Sequence, residues 1–302
     1  MKKICSIIKL MRPHHYIKNG VLFLPLVFSG NLLNKDFLVV LMIGFFAFCL
    51  SSSVIYIIND IFDVEKDKLH PKKCKRPIAS GEISIKFAWV LAILLLAVVV
   101  TLNYIIASNN IGAWVLLGLY IVLNFAYSVG LKQVPLLDIA ILVSGFLIRV
   151  LYGASIINVV VSNWLYLTVI AMAFYLGLGK RRNEMDRQGS DTRKVLQFYN
   201  YNFLDKNMYL ANALTIVFYS LWCVDAGTIA RFSNKLIWTV PLVMLISMKY
   251  SLNIEGNSDG DPVDVVLSDK ILVMLAMIYV ISILILTYWG EWHMIWRKIG
   301  NC

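Results

Sequence analysis

The sequence predicts an all-α, polytopic membrane protein with nine transmembrane helices. Of its 302 residues, 59% are hydrophobic and only 15% are charged. Apolar runs of roughly 20 residues recur along the whole length, and a hydrocarbon core of about 30 Å needs a helix of that length to cross it. Because these runs leave no long stretch for a separate soluble domain, we expect residues 1–302 to form a single transmembrane domain.

Each predicted span is an apolar run that ends at a group of polar or charged residues. The nine runs cover roughly residues 16–34, 37–58, 85–106, 111–128, 135–157, 162–180, 207–225, 232–251 and 271–290. The first run is the weakest, because the polar stretch HHYIKN stands at its start. An odd number of crossings predicts that the two termini lie on opposite sides of the membrane.

Lys and Arg residues predict the orientation, because cytoplasmic loops carry an excess of them. With the N-terminus in the cytoplasm, 22 of the 28 Lys and Arg residues fall in cytoplasmic segments and five fall outside. We therefore expect a cytoplasmic N-terminus and an external C-terminus, with Trp289, Trp292 and Trp296 at the outer interface. The net charge of +10 is then explained by basic cytoplasmic loops and by binding sites for anionic ligands. We expect no nucleic-acid partner.

The densest block of charge is NDIFDVEKDKLHPKKCKRP, residues 59–77, which directly follows an uncharged run. On a continuous helix, Asp60, Asp63 and Asp67 at i, i+3 and i+7 lie within an arc of about 60°. Three carboxylates on one face repel one another, so either Lys side chains or a divalent cation must lie among them. Mg²⁺ prefers such oxygen ligands together with substrate phosphates, and Asn59 offers a further amide oxygen.

The alternative for this block is a solvated helix with Asp–Lys pairs, such as Asp63 with Lys66. Three features favour a ligand site instead. The cluster begins inside the apolar boundary, where charge is costly. The carboxylates share a face, and the basic run HPKKCKRP that follows suits phosphate oxygens.

A second unusual charge lies inside a predicted span. Arg149 follows Asp138 by 11 residues, which places it about 20° away in helical projection and roughly 16 Å along the axis. Gly145 and Tyr152 share that stripe. An Arg within a span needs an anionic partner, and two partners stay open: Asp138, in a structural pair, or the phosphate of a lipid.

The stretch NDIFDVEKD matches the N-D-x-x-D-x-x-x-D motif, and the chain thereby resembles the UbiA-type intramembrane prenyltransferase superfamily. The resemblance implies a bundle of nine helices with a cytoplasm-facing active-site cavity. It also implies catalysis with Mg²⁺, for which Mn²⁺ can substitute, held by Asp60, Asp63 and Asp67. Prenylating members carry a second D-x-x-x-D motif, but here Leu142 stands four residues after Asp138.

Four blocks between about residues 10 and 270 narrow the resemblance to the decaprenyl-phosphate phosphoribosyltransferase branch. They are MRPHHYIKNGVLFLPLVFSG, NDIFDVEKDKLHPKKCKRPIASGEIS, YSVGLKQVPLLDIAILVSGFLIR and GKRRNE. This branch implies a single catalytic domain that transfers the 5-phosphoribosyl group from phosphoribosyl diphosphate (PRPP) to a polyprenyl phosphate and releases diphosphate. It also implies that the protein lies among the lipids of a bacterial plasma membrane and acts in cell-wall biosynthesis.

Further candidate substrate ligands are cationic or polar residues beside these motifs, most of them on positions that the resemblance supports. They are Lys18, Asn19, Asn59, Lys73, Arg76, Tyr127, Lys132, Asp138, Arg149, Lys180 and Arg181. Which cation binds which phosphate stays open. Tyr127 either packs or hydrogen-bonds a substrate, and the KRR run at 180–182 also serves as a topology signal. His70 either matches a family position or caps the loop beside Pro71.

Two other functions and one segment stay open at this point. The same fold would suit a prenyltransferase that acts on an aromatic or other acceptor, although the missing second motif disfavours it. A lipid transporter is the non-enzymatic alternative, but its polar residues would lie near mid-membrane in two related halves. The acidic loop at residues 253–269 is either a wall of the site or a solvated loop. The sequence leaves the lipid's chain length and the oligomeric state undetermined.

Overall fold

The computed structural model describes residues 2–188, 194–232, 234–256 and 261–299, of which residues 2, 187, 188 and 289–299 are described by backbone only. These residues form helices and no β-strand. The chain divides into two compact units, Met1–Val27 with Asn31–Val160 and Phe28–Gly30 with Val161–Cys302. The predicted outer-interface residues Trp289, Trp292 and Trp296 lie outside the part of the chain whose side chains are described.

The helices of the first unit surround one long helix. In chain order they are α1 (Lys2–Met11), a 3₁₀ helix (Pro13–Phe23), α2 (Leu24–Phe28), α3 (Lys35–Phe62), α4 (Val64–Leu69), a 3₁₀ turn (Lys73–Lys75), α5 (Ile85–Ala107), α6 (Ile111–Val129), a 3₁₀ turn (Leu131–Gln133) and α7 (Leu137–Ile156). Asn34 caps α3, because its side chain accepts from the backbone N–H groups of Asp36 and Phe37. Helix α3 packs against α1, α5, α6, α7 and the Pro13–Phe23 helix, so its C-terminal half is buried and its end is held in place.

The Pro13–Phe23 helix begins at a left-handed residue, Arg12, with φ of 54°. It lies very close to α7, because a Cβ added to Gly153 would be 2.1 Å from the carbonyl oxygen of Leu22. Only glycine permits this approach of two backbones. The first predicted span, 16–34, is therefore not a regular α-helix along its length: it contains most of this 3₁₀ helix, the five residues of α2 and non-helical residues up to Asn34.

The helices of the second unit follow in chain order. They are α8 (Asn163–Gln188), a 3₁₀ helix (Lys194–Phe198), α9 (Tyr201–Val224), α10 (Ala226–Arg231), a 3₁₀ helix (Asn234–Thr239), α11 (Val240–Glu255), α12 (Pro262–Ser268) and α13 (Lys270–Ile299). Helix α8 packs along α9, and α11 packs against α13. The side chain of Asn200 caps α9, and that of Asp225 caps α10, as expected for short polar residues before an apolar run.

Seven helices in the described part of the chain are long and apolar enough to cross a membrane. They are Lys35–Phe62, Ile85–Ala107, Ile111–Val129, Leu137–Ile156, Tyr201–Val224, Asn234–Glu255 and Lys270–Tyr288. The integral-membrane, all-helical class predicted from the sequence is confirmed. The predicted spans at 16–34 and 162–180 are not among the seven. The second of these corresponds to α8, which continues through the charged stretch KRRNEMDRQ.

Candidate active site

Two of the three motif carboxylates converge on one arginine. Asp60 lies in the last turn of α3 and Asp67 in α4, and both are buried. Nη1 of Arg76 donates to Asp67 Oδ2 over 2.6 Å and to Asp60 Oδ1 over 3.1 Å. Arg76 ends the Lys73–Lys75 turn in an extended conformation, which its position before Pro77 favours. The basic run after the motif thus folds back onto the carboxylates.

Asp63 faces a different cation because the helix breaks at this residue. Helix α3 ends at Phe62, and Asp63 is its C-cap, with ψ of 5°. The continuous helix that the i, i+3, i+7 spacing predicts is therefore absent at this point. The carboxylate of Asp63 accepts from Nζ of Lys132 at 2.6 and 2.8 Å, and Lys132 also reaches Asn59 Oδ1 over 3.3 Å. Asp63 is therefore paired with Lys132, not with Lys66.

A third cation reaches the motif from the N-terminal segment. Nη2 of Arg12 lies 2.6 Å from Asp60 Oδ1, and the guanidinium lies 4.9 Å from the centre of the Tyr56 ring. A left-handed conformation costs a residue other than glycine of the order of 1–3 kcal/mol. The ion pair with a buried carboxylate and the stacking on Tyr56 offset this cost. Each of the three aspartates therefore has a cationic partner.

The donor chemistry of this cluster fits a divalent cation. Three carboxylates and the amide oxygen of Asn59 are hard oxygen ligands of the kind that Mg²⁺ prefers. The described residues nevertheless contain no group of three or more His, Cys, Asp or Glu side chains that could hold a metal ion as they stand. In this structure the carboxylates are instead paired with the cations Arg12, Arg76 and Lys132.

Arg149 is held within the same unit by neutral groups. Its Nε donates to Asn19 Oδ1 over 2.6 Å, its Nη1 to the carbonyl of Gly145 over 2.7 Å and its Nη2 to the hydroxyl of Tyr120 over 3.0 Å. The guanidinium also lies 4.9 Å from the centre of the Tyr120 ring. None of these contacts involves a carboxylate, so the described residues show no direct ion pair between Arg149 and Asp138. A pair between them that runs through water stays a prediction.

The other predicted residues of this unit lie on several different elements. Asp138 is buried in the first turn of α7, whereas Lys18, Lys73 and Tyr127 are partly exposed. Their assignment to substrate stays a prediction. His70 caps the loop: its Nδ1 accepts from the backbone N–H groups of Lys72 at 3.1 Å and Lys73 at 3.3 Å.

Lys180 and Arg181 belong to the second unit, where carboxylates neutralise both. Lys180 lies 3.7 Å from Asp261, and the fully buried Arg181 pairs with Glu184. Their assignment to substrate phosphates also stays a prediction.

Two carboxylates of the acidic loop at 253–269 form ion pairs with lysines of the same unit. Asp261 pairs with Lys180, and Asp269 lies 2.8 Å from Nζ of Lys249. The hydrogen bond from Lys249, together with that from the backbone N–H of Leu272, lowers the pKa of Asp269 to about 2. The middle of the loop, residues 257–260, lies outside the described residues.

Sequence reasoning missed two residues of the polar cluster around Arg149, Tyr120 and Ser52. Their oxygens lie 3.1 Å apart, and both side chains are buried inside membrane-spanning helices. A signal was present, because three consecutive serines, 51–53, interrupt an otherwise apolar run. Polar groups in a span need partners, but the sequence does not say which.

Comparisons with known proteins bear on the family and on the fold. The chain matches the UbiA prenyltransferase family over residues 22–261. It is 32% identical to a decaprenyl-phosphate phosphoribosyltransferase of Corynebacterium glutamicum, over 94% of this chain and 87% of that protein. It is also 32% identical to the enzyme of that name from Mycolicibacterium smegmatis, over 92% and 91% of the two chains.

Solved structures share the architecture at lower identity. A UbiA homologue from Archaeoglobus fulgidus, bound to DMAPP and Mg²⁺, superposes with a TM-score of 0.70 at 18% identity. The superposition covers 92% of this chain and 96% of that one. At this identity the likeness establishes the all-helical fold alone.

Proposed function

This chain belongs to the UbiA prenyltransferase family, and on that premise we propose that it transfers the 5-phosphoribosyl group of PRPP to a polyprenyl phosphate and releases diphosphate. The observation that carries the proposal is the similarity, over nine-tenths of the chain, to enzymes named for phosphoribosyl transfer to decaprenyl phosphate. The site supports it, because the described residues gather cations around the motif and place one further cation, Arg149, deeper in the bundle.

The reaction exchanges one carbon–oxygen bond for another. The bond from the anomeric carbon of ribose to diphosphate breaks, and its electron pair leaves with the diphosphate. An oxygen of the polyprenyl phosphate forms the new bond to the same carbon. The second pKa of a phosphate monoester is about 6, so this oxygen is already anionic at neutral pH. The site therefore needs no general base, and catalysis depends on positioning and electrostatics.

Asp60, Asp63 and Asp67 would hold the divalent cation, with Asn59 as a further oxygen ligand. When bound, such an ion neutralises the charge that develops on the departing diphosphate. Mg²⁺ is the proposed ion, in line with the metal bound by the Archaeoglobus fulgidus homologue, and Mn²⁺ is proposed as a substitute.

The cations that now pair with the aspartates are the proposed diphosphate ligands. Arg76 and Lys132 lie at 2.6 Å from their carboxylates, and both side chains are partly exposed. Their charge is therefore available to a phosphate once the carboxylates bind a metal. A guanidinium presents two parallel donors to phosphate, and the ammonium of Lys132 acts as a point charge.

Arg149 is the proposed ligand of the acceptor, the polyprenyl phosphate. It stands in the helix where prenylating relatives would carry a second acidic motif, and Leu142 occupies the place of the second carboxylate. Because its described partners are neutral, an anion that binds there does not have to break an ion pair.

We further propose nine membrane crossings in a single catalytic domain, with a cytoplasmic N-terminus, an external C-terminus and a site that faces the cytoplasm. The charge distribution supports this orientation, and cytosolic PRPP requires it. The proposed membrane is the bacterial plasma membrane.

The decisive experiment compares two substrate pairs with the purified protein. Labelled PRPP with polyprenyl phosphate and Mg²⁺ should give a labelled lipid and diphosphate. Prenyl diphosphate with an aromatic acid should give no product. The reverse result would identify a prenyltransferase, and exchange of lipid between vesicles without a product would identify a transporter.

A further inference from the structure

The guanidinium of Arg149 belongs to a closed ring of hydrogen bonds that joins four helical segments. The ring contains Arg149 of α7, Tyr120 of α6, Ser52 of α3 and Asn19 of the Pro13–Phe23 helix. Nη2 of Arg149 donates to the Tyr120 hydroxyl, which lies 3.1 Å from Ser52 Oγ. Ser52 reaches Asn19 Oδ1 over 3.5 Å, and Nε of Arg149 donates to the same oxygen over 2.6 Å.

The guanidinium sets the direction of two of these hydrogen bonds. It only donates, so the hydroxyl oxygen of Tyr120 accepts from it, and the Tyr120 proton is available for Ser52. The oxygen of Asn19 must face Arg149, which leaves its NH₂ group toward Cys49 Sγ at 3.3 Å and Ser52 Oγ at 3.4 Å. Arg149 thereby orients Tyr120 and Asn19, and Ser52 bridges the two.

The ring positions the guanidinium without neutralising it. Arg12, Arg76 and Lys132 each contact a carboxylate, whereas Arg149 contacts an amide oxygen, a backbone carbonyl and a hydroxyl. Gly145 makes room, since a Cβ there would lie 3.3 Å from Nη1 of Arg149. A buried charge held only by neutral dipoles is costly, and a bound anion would relieve that cost.

The position of the ring points to an anion attached to a hydrocarbon chain. Ser52 precedes Asp60 by eight residues, about 12 Å along α3, and so lies further into the span. The surrounding core is apolar and includes Phe48, Leu117 and Ile148. Arg149 keeps 8% of its surface exposed while Asn19 is fully buried, so of these two residues only Arg149 retains accessible surface.

We infer that Tyr120 and Ser52 are positioning residues that hold Arg149 for a phosphate monoester, and that this monoester is the head group of the polyprenyl phosphate. The inference rests on the proposed function. PRPP also carries a phosphate monoester, on its 5-hydroxyl. A substitution in the ring should change the KM for polyprenyl phosphate if the lipid binds at Arg149, and the KM for PRPP if the donor binds there.

The test uses Tyr120→Phe, which keeps the aromatic ring against the guanidinium and removes the accepting oxygen. Loss of the orientation that one typical hydrogen bond provides should raise the KM for polyprenyl phosphate about 3- to 10-fold. The KM for PRPP and kcat should stay within about twofold. Arg149→Lys, which loses the planar donor pair, should shift the same constant further. The matched control is Tyr104→Phe on α5, where the side chain is 65% exposed, and it should change nothing.

A binding measurement separates this inference from the proposed function. Polyprenyl phosphate, without PRPP, should raise the melting temperature of the wild-type protein in detergent more than the matching polyprenol does. Tyr120→Phe should reduce that difference. If Tyr120→Phe does not fold, Ser52→Ala carries the same test with a smaller expected effect.

The outcomes are distinct. Wild-type protein that binds polyprenyl phosphate through this ring but transfers no phosphoribosyl group would refute the proposed function and leave the inference standing. Normal transfer with an unchanged lipid KM in Tyr120→Phe and Ser52→Ala would overturn the inference. A rise in the KM for PRPP alone would also overturn it, because the ring would then serve the donor.

Discussion

Arg76 and Asp67 form a 2.6 Å ion pair in which the arginine contacts a carboxylate that we propose as a ligand of the divalent cation. The same Nη1 also lies 3.1 Å from Asp60, so one guanidinium bridges two carboxylates of the motif. If the aspartates hold a metal as proposed, the metal and this side chain would compete for the same oxygens. Diphosphate would then give Arg76 another anionic partner and end the competition. This relationship predicts that metal and diphosphate bind cooperatively.

Arg76→Gln should therefore bind Mg²⁺ more tightly than the wild type when diphosphate is absent. Removal of a unit charge at this range should strengthen binding by about tenfold. The extra affinity that inorganic pyrophosphate gives to the metal should shrink in the variant. Isothermal titration calorimetry with Mg²⁺, with and without pyrophosphate, measures both quantities.

Lys75→Gln is the charge-matched control, because Lys75 is exposed in the same segment. An equal rise in Mg²⁺ affinity in this control would show that the effect of Arg76→Gln comes from the change in net charge alone. Unchanged affinity in Arg76→Gln would show that the ion pair does not compete with the metal.

Asp60→Asn and Asp63→Asn should each lower kcat by about 100-fold or more, the loss expected when one strong electrostatic stabiliser is removed. EDTA should abolish wild-type activity. Glu65→Gln is the control, because that side chain is 79% exposed and pairs with Lys68. Melting temperatures must accompany the rates, since Asp60→Asn also deprives Arg12 of its carboxylate. Near-normal turnover in both Asp variants would leave only a structural role for the motif.

Gly153→Ala should destabilise the protein by about 1–3 kcal/mol, the usual cost of overpacking. The new Cβ would lie 2.1 Å from the carbonyl oxygen of Leu22, which is backbone and has to move with its whole helix. Gly118→Ala in α6 is the matched control, because no atom lies within 4 Å of the added Cβ. There the higher helix propensity of Ala should raise stability by up to about 1 kcal/mol. Thermal unfolding in detergent compares the two, and equal melting temperatures would contradict the close approach.

His70 should titrate with a pKa below 6.5, because partial burial and then the nearby ammonium of Lys73 disfavour the imidazolium. The neutral ring is the form whose Nδ1 accepts from the loop N–H groups. Its contribution to stability is therefore present above pH 6.5 and is lost as the pH falls through the lowered pKa. NMR of histidine-labelled protein, assigned with His70→Gln, measures the value. Lys73→Gln should raise it, and a pKa above 6.5 in the wild type would refute the capping role.

The charge asymmetry predicts the outcome of reporter fusions. A reporter that is active only in the cytoplasm should work when inserted within residues 181–206 and be silent when fused after residue 302. An insertion at 226–231 should also be silent. The opposite pattern would reverse the orientation and place the site on the side without PRPP.

The cations of the site show where prediction from sequence ends. The motif aspartates and the basic run were recognisable because all of their residues lie within 19 consecutive positions. Arg12 was recognisable only as the arginine at the start of the block MRPHHYIKNGVLFLPLVFSG, and Lys132 only as a cation of the right type. Their carboxylates lie 48 and 69 residues away in sequence, so nothing local pairs Arg12 with Asp60 or Lys132 with Asp63.

The break at Asp63 is a second limit. Helical spacing placed three carboxylates on one face, and that geometry holds only while the helix is continuous. Helix α3 ends at Phe62, and α4 restarts with acidic residues in its first turn and lysines in its last, as the helix dipole favours. The sequence contains no Gly or Pro at this point, so it does not predict the break.

The sequence by itself determined the membrane-embedded helical class, the acidic motif and the unusual arginine in a span. Hydrocarbon thickness, helical pitch and the cost of burying charge act on each segment locally, so a short stretch of sequence is enough to predict these features. Only the tertiary structure decided that Arg76 bridges Asp60 and Asp67, and that Arg149 closes a ring with Tyr120, Ser52 and Asn19. Those contacts join elements up to 130 residues apart, and the packing of α3 against its neighbours selects them from many chemically equivalent pairs.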